Sequence, residues 1–411
     1  MLRILRSADS SVRALVDRRA TRDPELVRQV ATIVRAVQRE GDRALRRYAR
    51  RLDGLEGPIE IPRDEMLEAA RTVPADVRRA MATCARHIRR VARAQRPRPS
   101  IVRVVPGVTV EQRVVPLGRV GCYVPGGRYP LPSSLLMTAI AAQVAGVGEV
   151  VAVCPRPDAV VMAAAIEAGV TRLLRVGGAH AIAALAYGTE TVPRVDKIVG
   201  PGNRYVAAAK TLVAADCPID FEAGPTELVW ISDRARPDWI ARDLIAQAEH
   251  DPDSRAFFVT TSRSLAQAVV RAIASLAPAT GPAATALARN GAAIVVPTID
   301  QAIALVHRIA PEHLATDEED VVTRMPAAGT IYVGRFAAPA AGDYVTGSNH
   351  VLPTSGVARF RGGLSVADFV RTISVQRLSR DGIRRVGPAA IAMAGVEGLA
   401  GHAASIAARL A

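Results

Sequence analysis

Lysine is nearly absent from this chain of 411 residues. It occurs only at Lys197 and Lys210, so 51 of the 53 cationic side chains are arginine. Aromatic residues make up only 4% although 49% of the chain is hydrophobic, so its cores must be built from Ala, Val, Leu and Ile. There is no CxxC. Cys84, Cys122, Cys154 and Cys217 stand far apart, which argues against a cysteine zinc site or a dithiol redox motif. They read as small hydrophobes in a reducing compartment. No uninterrupted run of about 18 apolar residues could span a membrane. The start, MLRILRSADSS, lacks the apolar stretch of a secretory signal. The expectation is a soluble, cytoplasmic protein with no membrane partner.

Acidic charge is in short supply as well. The net charge is +14, and the first hundred residues hold 24 Arg against 13 Asp plus Glu. A basic face can bind nucleic acid. Here the arginines are interleaved with acids along amphipathic segments such as TRDPELVRQVATIVRAVQREGDRALRRYARRLDG. No aromatic interleaving or zinc-finger spacing accompanies them. A solvated helical face is the better reading, with no nucleic-acid partner.

What is present is an alternation of strands and helices. Residues 24–51 and 64–95 have apolar positions at three and four, as amphipathic helices do. QRPRPS ends that region, and the segment 101–118 reads as short strands. Strands are then expected at RVGCYV, EVVAVC, RLLRV and DKIV, with helices near 132–146, 158–169, 179–187 and 203–215. A second series has strands ELVWIS, AFFVTT, AAIVVP and GTIYVG, with helices near 237–250, 263–277 and 300–309. Such alternation predicts an α/β fold of two parallel-sheet domains, of incomplete Rossmann-like character, with small helical N- and C-terminal segments. The expected division is an arm at 1–25, a discontinuous first α/β domain at 26–118 and 228–365, a second α/β domain at 119–227, and a helical segment at 366–411. Ligands of such sheets bind outside the carboxyl ends of the strands.

Four of the seven histidines fall in short polar runs. AQAEHDPDS places Gln247 and His250 three apart at a helix end, where both can face one metal. A surface histidine answering the helix dipole would give the same pattern. APEHL sets Glu312 beside His313, a pair able to serve two different proton transfers or simply to face solvent. GDYVTGSNHVLPT is a polar loop holding Asp343 and His350, and EGLAGH brings Glu397 and His402 near the C-terminus. Imidazole, amide and carboxylate together suit Zn²⁺. VGPGNRYVAAAK and YVPGGRYPLPSS are Gly-Pro loops before helices and could cradle a nucleotide. Neither is GxGxxG, and a tight connecting turn explains them equally well.

Taken in order, PGGRYPLPSSLLMTA, GGAHAIAALAYGTE, VDKIVGPGN, DFEAGPTE, AQAEHDPDS, PEHL, AGDYVTGSNHVLPT and GLSVADFVRTISVQ resemble the histidinol dehydrogenase family over most of the chain. The resemblance implies oxidation of L-histidinol through histidinal to L-histidine with two NAD⁺ and one water, the last step of histidine biosynthesis. It implies zinc, one per subunit, held by Gln247, His250, Asp343 and His402, and Glu312 and His313 as catalytic bases. Thr226, His350 and Glu397 would contact substrate, together with the ligands and bases. Tyr123, His180 and Asn203 would contact NAD, making 119–227 the NAD-binding domain. The family usually has glutamine at the position of His180 and commonly serine at that of Thr226. The resemblance further implies a homodimer in which the 366–411 segment completes the partner's active site. A relative acting on another polar alcohol keeps the same catalytic pair, and a zinc hydrolase using Glu312 would need no dinucleotide.

Overall fold

The computed structural model describes residues 2–17, 23–126, 130–222, 224–325 and 327–411. Two parallel sheets dominate. The first runs, in spatial order, Arg3–Arg6, Ala292–Val295, Arg255–Thr260, Glu227–Ile231, His313–Thr316, Thr330–Val333, all parallel. The chain winds outward from Glu227–Ile231 in one direction and then returns to wind in the other, so the switch point lies between Glu227–Ile231 and His313–Thr316. The second sheet runs Glu60–Ile61, Arg172–Leu174, Glu149–Val153, Arg119–Tyr123, Lys197–Val199, antiparallel only at the Glu60–Ile61 edge. Its switch point lies between Arg119–Tyr123 and Lys197–Val199. The interior strands of both sheets are apolar and buried on both faces, the pattern of sheets covered by helices.

The helices follow the same physics. Pro24–Glu40 opens with Asp23, whose carboxylate accepts from Glu25 N and Leu26 N, and turns Leu26, Val30, Val34 and Val37 inward. Pro132–Ala145 and Gly178–Tyr187 show no polar stripe, because nearly every residue in them is buried. Large aromatic side chains are few in the cores; Phe257, Phe258 and Phe369 are the fully buried ones, and Ala, Val, Leu and Ile fill the rest.

Several expectations are corrected. The N-terminal arm is not separate: Arg3–Arg6 forms an edge strand of the first sheet, beside Ala292–Val295. The helices of 24–94 pack on the sheet of 119–199, not on that of 227–333. Val30, Leu45, Met66 and Ile88 share cores with Val151, Ile182 and Leu136. The 24–51 helix is interrupted at Gly41, whose φ of 55° no helix interior accepts, and it ends in a π turn over Ala49–Asp53. The 366–411 segment is not wholly helical. Val370–Leu378 is a nine-residue strand, antiparallel to Val108–Pro116, which in turn pairs with Ser100–Val105. Only then come the helices Arg380–Val396 and Ala400–Ala407, which pack chiefly on each other. No helix among the described residues is long and apolar enough to cross a membrane.

Candidate active site

The two adjacent bases lie at the first sheet's switch point, at the amino end of its strands. His313 opens the His313–Thr316 strand in register with Leu228 on one side and Thr330 on the other. Both side chains are buried: Glu312 is 7% exposed and His313 4%. One neighbouring residue holds them both through its backbone. Glu227 N–H donates to Glu312 Oε2 at 3.0 Å, and Glu227 O lies 3.1 Å from His313 Nδ1. A carbonyl can only accept, so His313 Nδ1 carries the proton and Nε2 presents a bare lone pair. That Nε2 is buried without a hydrogen-bond partner, 3.8 Å from Asp343 Oδ1. The Tyr332 ring stacks on the imidazole at 5.9 Å, fixing its plane.

Burial moves the two groups in opposite senses. It pushes the Glu312 carboxyl up to about 7, against the hydrogen bonds from Thr226 and Glu227, and it holds His313 below the usual imidazole value. A carboxylate made more basic thus stands beside an imidazole made less basic.

The helix Pro237–Ala248 leaves the carboxyl end of Glu227–Ile231 and must return before the parallel strand Arg255–Thr260 begins, which brings its last turn back to the bases. That turn carries Gln247, and His250 follows two residues past its end. Gln247 Nε2 donates to Thr226 Oγ1, and Thr226 Oγ1 donates onward to Glu312 Oε2 at 2.5 Å. The Thr226 hydroxyl is therefore already engaged on both sides, and what it does here is orient Glu312 and Gln247. Asp343 ends up on a short helix, Pro339–Tyr344, where a loop was expected. Gly342 in that helix packs so closely on Tyr332 that a Cβ would lie 2.2 Å from the phenol oxygen. Burial raises the Asp343 carboxyl above its ordinary value. His350 sits beneath, with Nδ1 2.9 Å from Asp343 O and Nε2 3.5 Å from Ser134 Oγ, and burial pushes it down to about 4.

The donor chemistry fits a divalent metal in part. His250 Nδ1 faces Ala246 O at 3.1 Å and Gln247 O at 3.3 Å, so its Nε2 is free to ligate on the exposed side. The Gln247 amide nitrogen is spent on Thr226, which leaves the amide oxygen. Asp343 is a carboxyl in poor solvent whose charge is felt by His313 and His250. His402 does not join them: it is exposed on Ala400–Ala407, a helix with no buried residue, and Glu397 is exposed at the end of Arg380–Val396. Among the described residues, no group of three or more His, Cys, Asp and Glu is gathered tightly enough to hold a metal within one chain. The cysteines are not nucleophile candidates, since burial pushes Cys122 and Cys154 up to about 12 and Cys217 up to about 11.

At the second sheet the strand ends are reversed in use. Tyr123 closes Arg119–Tyr123, Gly177 and Gly178 follow Arg172–Leu174, and Gly200–Asn203 follows Lys197–Val199, all at carboxyl ends around the switch point. Asn203 is exposed and caps Arg204–Val213 by accepting from Tyr205 N and Val206 N. Tyr123 is 3% exposed, with its hydroxyl accepting from Gly178 N at 3.2 Å. In the other Gly-Pro loop, Gly127, Arg128 and Tyr129 lie outside the described residues.

His180 departs from expectation. It is 0% exposed, its Nε2 lies 2.7 Å from Asp53 Oδ2, and its ring stacks on Tyr48. Asp53 Oδ2 also accepts from Gly177 N at 2.9 Å. An imidazole enclosed in this way braces the start of Gly178–Tyr187 and offers no surface for direct contact with NAD. Sequence reasoning also passed over Glu227, Tyr332 and Asp53. The signal for Glu227 was its place after Thr226 in DFEAGPTE; Tyr332 and Asp53 had none.

Residues 16–410 match the family model described as histidinol dehydrogenase. A histidinol dehydrogenase of Methylococcus capsulatus is 45% identical over 398 residues, covering 93% of this chain and 91% of the relative. One of Caulobacter vibrioides is 43% identical over 412 residues, covering 98% and 96%. The crystal structure of histidinol dehydrogenase from Elizabethkingia anophelis superposes with a TM-score of 0.95 at 32% identity, covering 100% of this chain and 98% of that one. With likeness in sequence along nearly the whole length and in fold along all of it, this α/β oxidoreductase chain belongs to the histidinol dehydrogenase family.

Proposed function

We propose that this chain oxidises L-histidinol through histidinal to L-histidine, using two NAD⁺ and one water, in the last step of histidine biosynthesis. The observation that carries the reading is the pair of buried bases anchored to one residue, Glu227, with lone pairs left over for two proton transfers. His313 Nε2 takes the hydroxyl proton of the alcohol. Its lone pair is left unpartnered, because Nδ1–H is committed to Glu227 O. Glu312 takes a proton from the water that adds to the aldehyde. Its Oε2 is held by Thr226 and Glu227, which leaves Oε1 as the base. A carboxyl lifted to about 7 is a far better acceptor of that proton than an ordinary one near 4.5.

Gln247, His250 and Asp343 would hold zinc, with His402 as a fourth ligand from a second subunit. Zinc, when bound, supplies a Lewis acid and an anchor for the substrate's imidazole and amine. NAD⁺, when bound, would supply the hydride acceptor for each oxidation, and Asn203 with the loops at the carboxyl ends of the 119–199 sheet would hold it. His350 and Glu397 are proposed to contact substrate. The exposed C-terminal hairpin supports a homodimer with shared sites: Met393 and Val396 are 59% and 86% exposed, which is unfavourable in an isolated subunit.

The decisive measurement is stoichiometry. NADH formed per L-histidinol consumed is expected near two, and a value near one reduces the reading to a simple alcohol dehydrogenase. A zinc hydrolase would form none. The metal assignment has its own check. His250→Ala and Asp343→Ala each remove a ligand, and elemental analysis should find the folded variants depleted of metal. Unchanged metal content in both would move the site elsewhere.

A further inference from the structure

Two lysines in a chain with 51 arginines mark places where an ammonium is wanted and a guanidinium is not. Lys197 Nζ reaches Asp368 O at 3.0 Å and Asp368 Oδ1 at 3.3 Å. Lys210 is deeper, 2% exposed, and its Nζ donates to Gly200 O at 2.9 Å while pairing with Asp220 Oδ1. Asp220, also 2% exposed, accepts from Gly200 N through Oδ2 at 2.8 Å and from Phe221 N through Oδ1 at 2.7 Å. One buried ion pair thus grips both polar backbone atoms of Gly200.

We infer that Lys210 and Asp220 are positioning residues for the dinucleotide, setting the Gly200–Asn203 loop at the switch point of the 119–199 sheet. This rests on the proposal that NAD binds there. The loop needs such a hold. Gly200 has φ of 114°, and a Cβ on it would lie 2.2 Å from Tyr123 O, so the loop is pressed against the carboxyl end of the neighbouring Arg119–Tyr123 strand in a conformation only glycine takes easily. Asp220 is itself fixed, since its N–H donates to Ile198 O at 3.1 Å and Ile198 N donates to Pro218 O. Lys210 lies on the helix that Asn203 caps, so the exposed end of the loop and its buried clamp belong to one rigid element. Three ammonium protons suit one carbonyl and one carboxylate. A guanidinium brings five donors in a planar fork and would leave some of them buried without acceptors.

The test separates this clamp from the cofactor reading. In the full-length enzyme, Lys210→Arg should raise the Kd for NADH, followed by fluorescence, and the KM for NAD⁺ by about tenfold or more. The KM for histidinol and the metal content should stay at wild-type values. A merely structural defect would lower metal content and both affinities together, and that pattern would overturn the inference. Should Lys210→Arg not fold, Asp220→Asn carries the test, because it keeps an acceptor for Gly200 N and loses the charge. Asn203→Ala is the reference for the loop itself. Weaker NADH binding in Asn203→Ala but not in the clamp variants refutes the clamp and leaves the cofactor reading. Wild-type NADH affinity in Asn203→Ala and in the clamp variants alike places the dinucleotide elsewhere and refutes both.

Discussion

Glu312→Gln is expected to form NADH from histidinol in a single turnover and then to stall at the aldehyde. Glutamine retains an oxygen to accept from Thr226 Oγ1 and Glu227 N, so the local hydrogen bonds survive. What disappears is the acceptor for the proton of the attacking water. Loss of a positioned general base costs about 10²- to 10⁴-fold, so oxidation of added histidinal should fall by that factor while the first hydride transfer is largely spared. His313→Asn should behave in the converse way, losing the alcohol step by a comparable factor. Rapid-quench or stopped-flow measurement of NADH, with histidinol and histidinal supplied separately, distinguishes the two half-reactions. Equal loss of both half-reactions in Glu312→Gln would abolish this division of labour.

Two dead variants mixed together should recover activity. Ala400–Ala407 packs chiefly on Arg380–Val396 and has no fully buried residue, yet it carries His402. If His402 completes the partner's metal site, a dimer of one His402→Ala subunit and one His250→Ala subunit has one site with both defects and one with neither. About half the sites of that heterodimer are then intact, as the two-fold symmetry of an isologous pair requires. Each variant alone should be inactive, because every site in its homodimer lacks a ligand. Co-refolding the two, isolating the heterodimer and assaying NADH production gives the answer. A heterodimer that forms and stays inactive would return His402 to its own subunit.

The fold was legible where the pattern was long and regular. The strands Arg119–Tyr123, Glu149–Val153, Glu227–Ile231 and Arg255–Thr260 are buried on both faces, so they stand out as apolar runs between helices. Shorter elements escaped. His313–Thr316 has four residues and begins on a histidine, so nothing local marks it as a strand; its pairing with Glu227–Ile231 and Thr330–Val333 does. Val370–Leu378 is exposed along most of its length and lacks the apolar alternation of a half-buried strand, and only nine paired positions with Val108–Pro116 define it. The packing of 24–94 on the 119–199 sheet depends on which apolar face meets which, a matter that periodicity leaves open.

By itself the sequence determined the α/β class and the family, and it singled out Glu312, His313, Gln247, His250 and Asp343 as candidate groups. It did so because rare polar residues in fixed short runs carry information that survives without coordinates. Tertiary structure decided how those groups are used. It put the bases at the amino end of one sheet and the glycine loops at the carboxyl end of the other. It chose Nε2 of His313 as the free lone pair by placing Glu227 O against Nδ1. It enclosed His180 against Asp53, and it left His402 exposed and not gathered with its expected companions within one chain. Each of these turns on contacts between residues dozens to hundreds of positions apart. Protonation, exposure and direction are properties of a neighbourhood, and the neighbourhood exists only once the chain has folded.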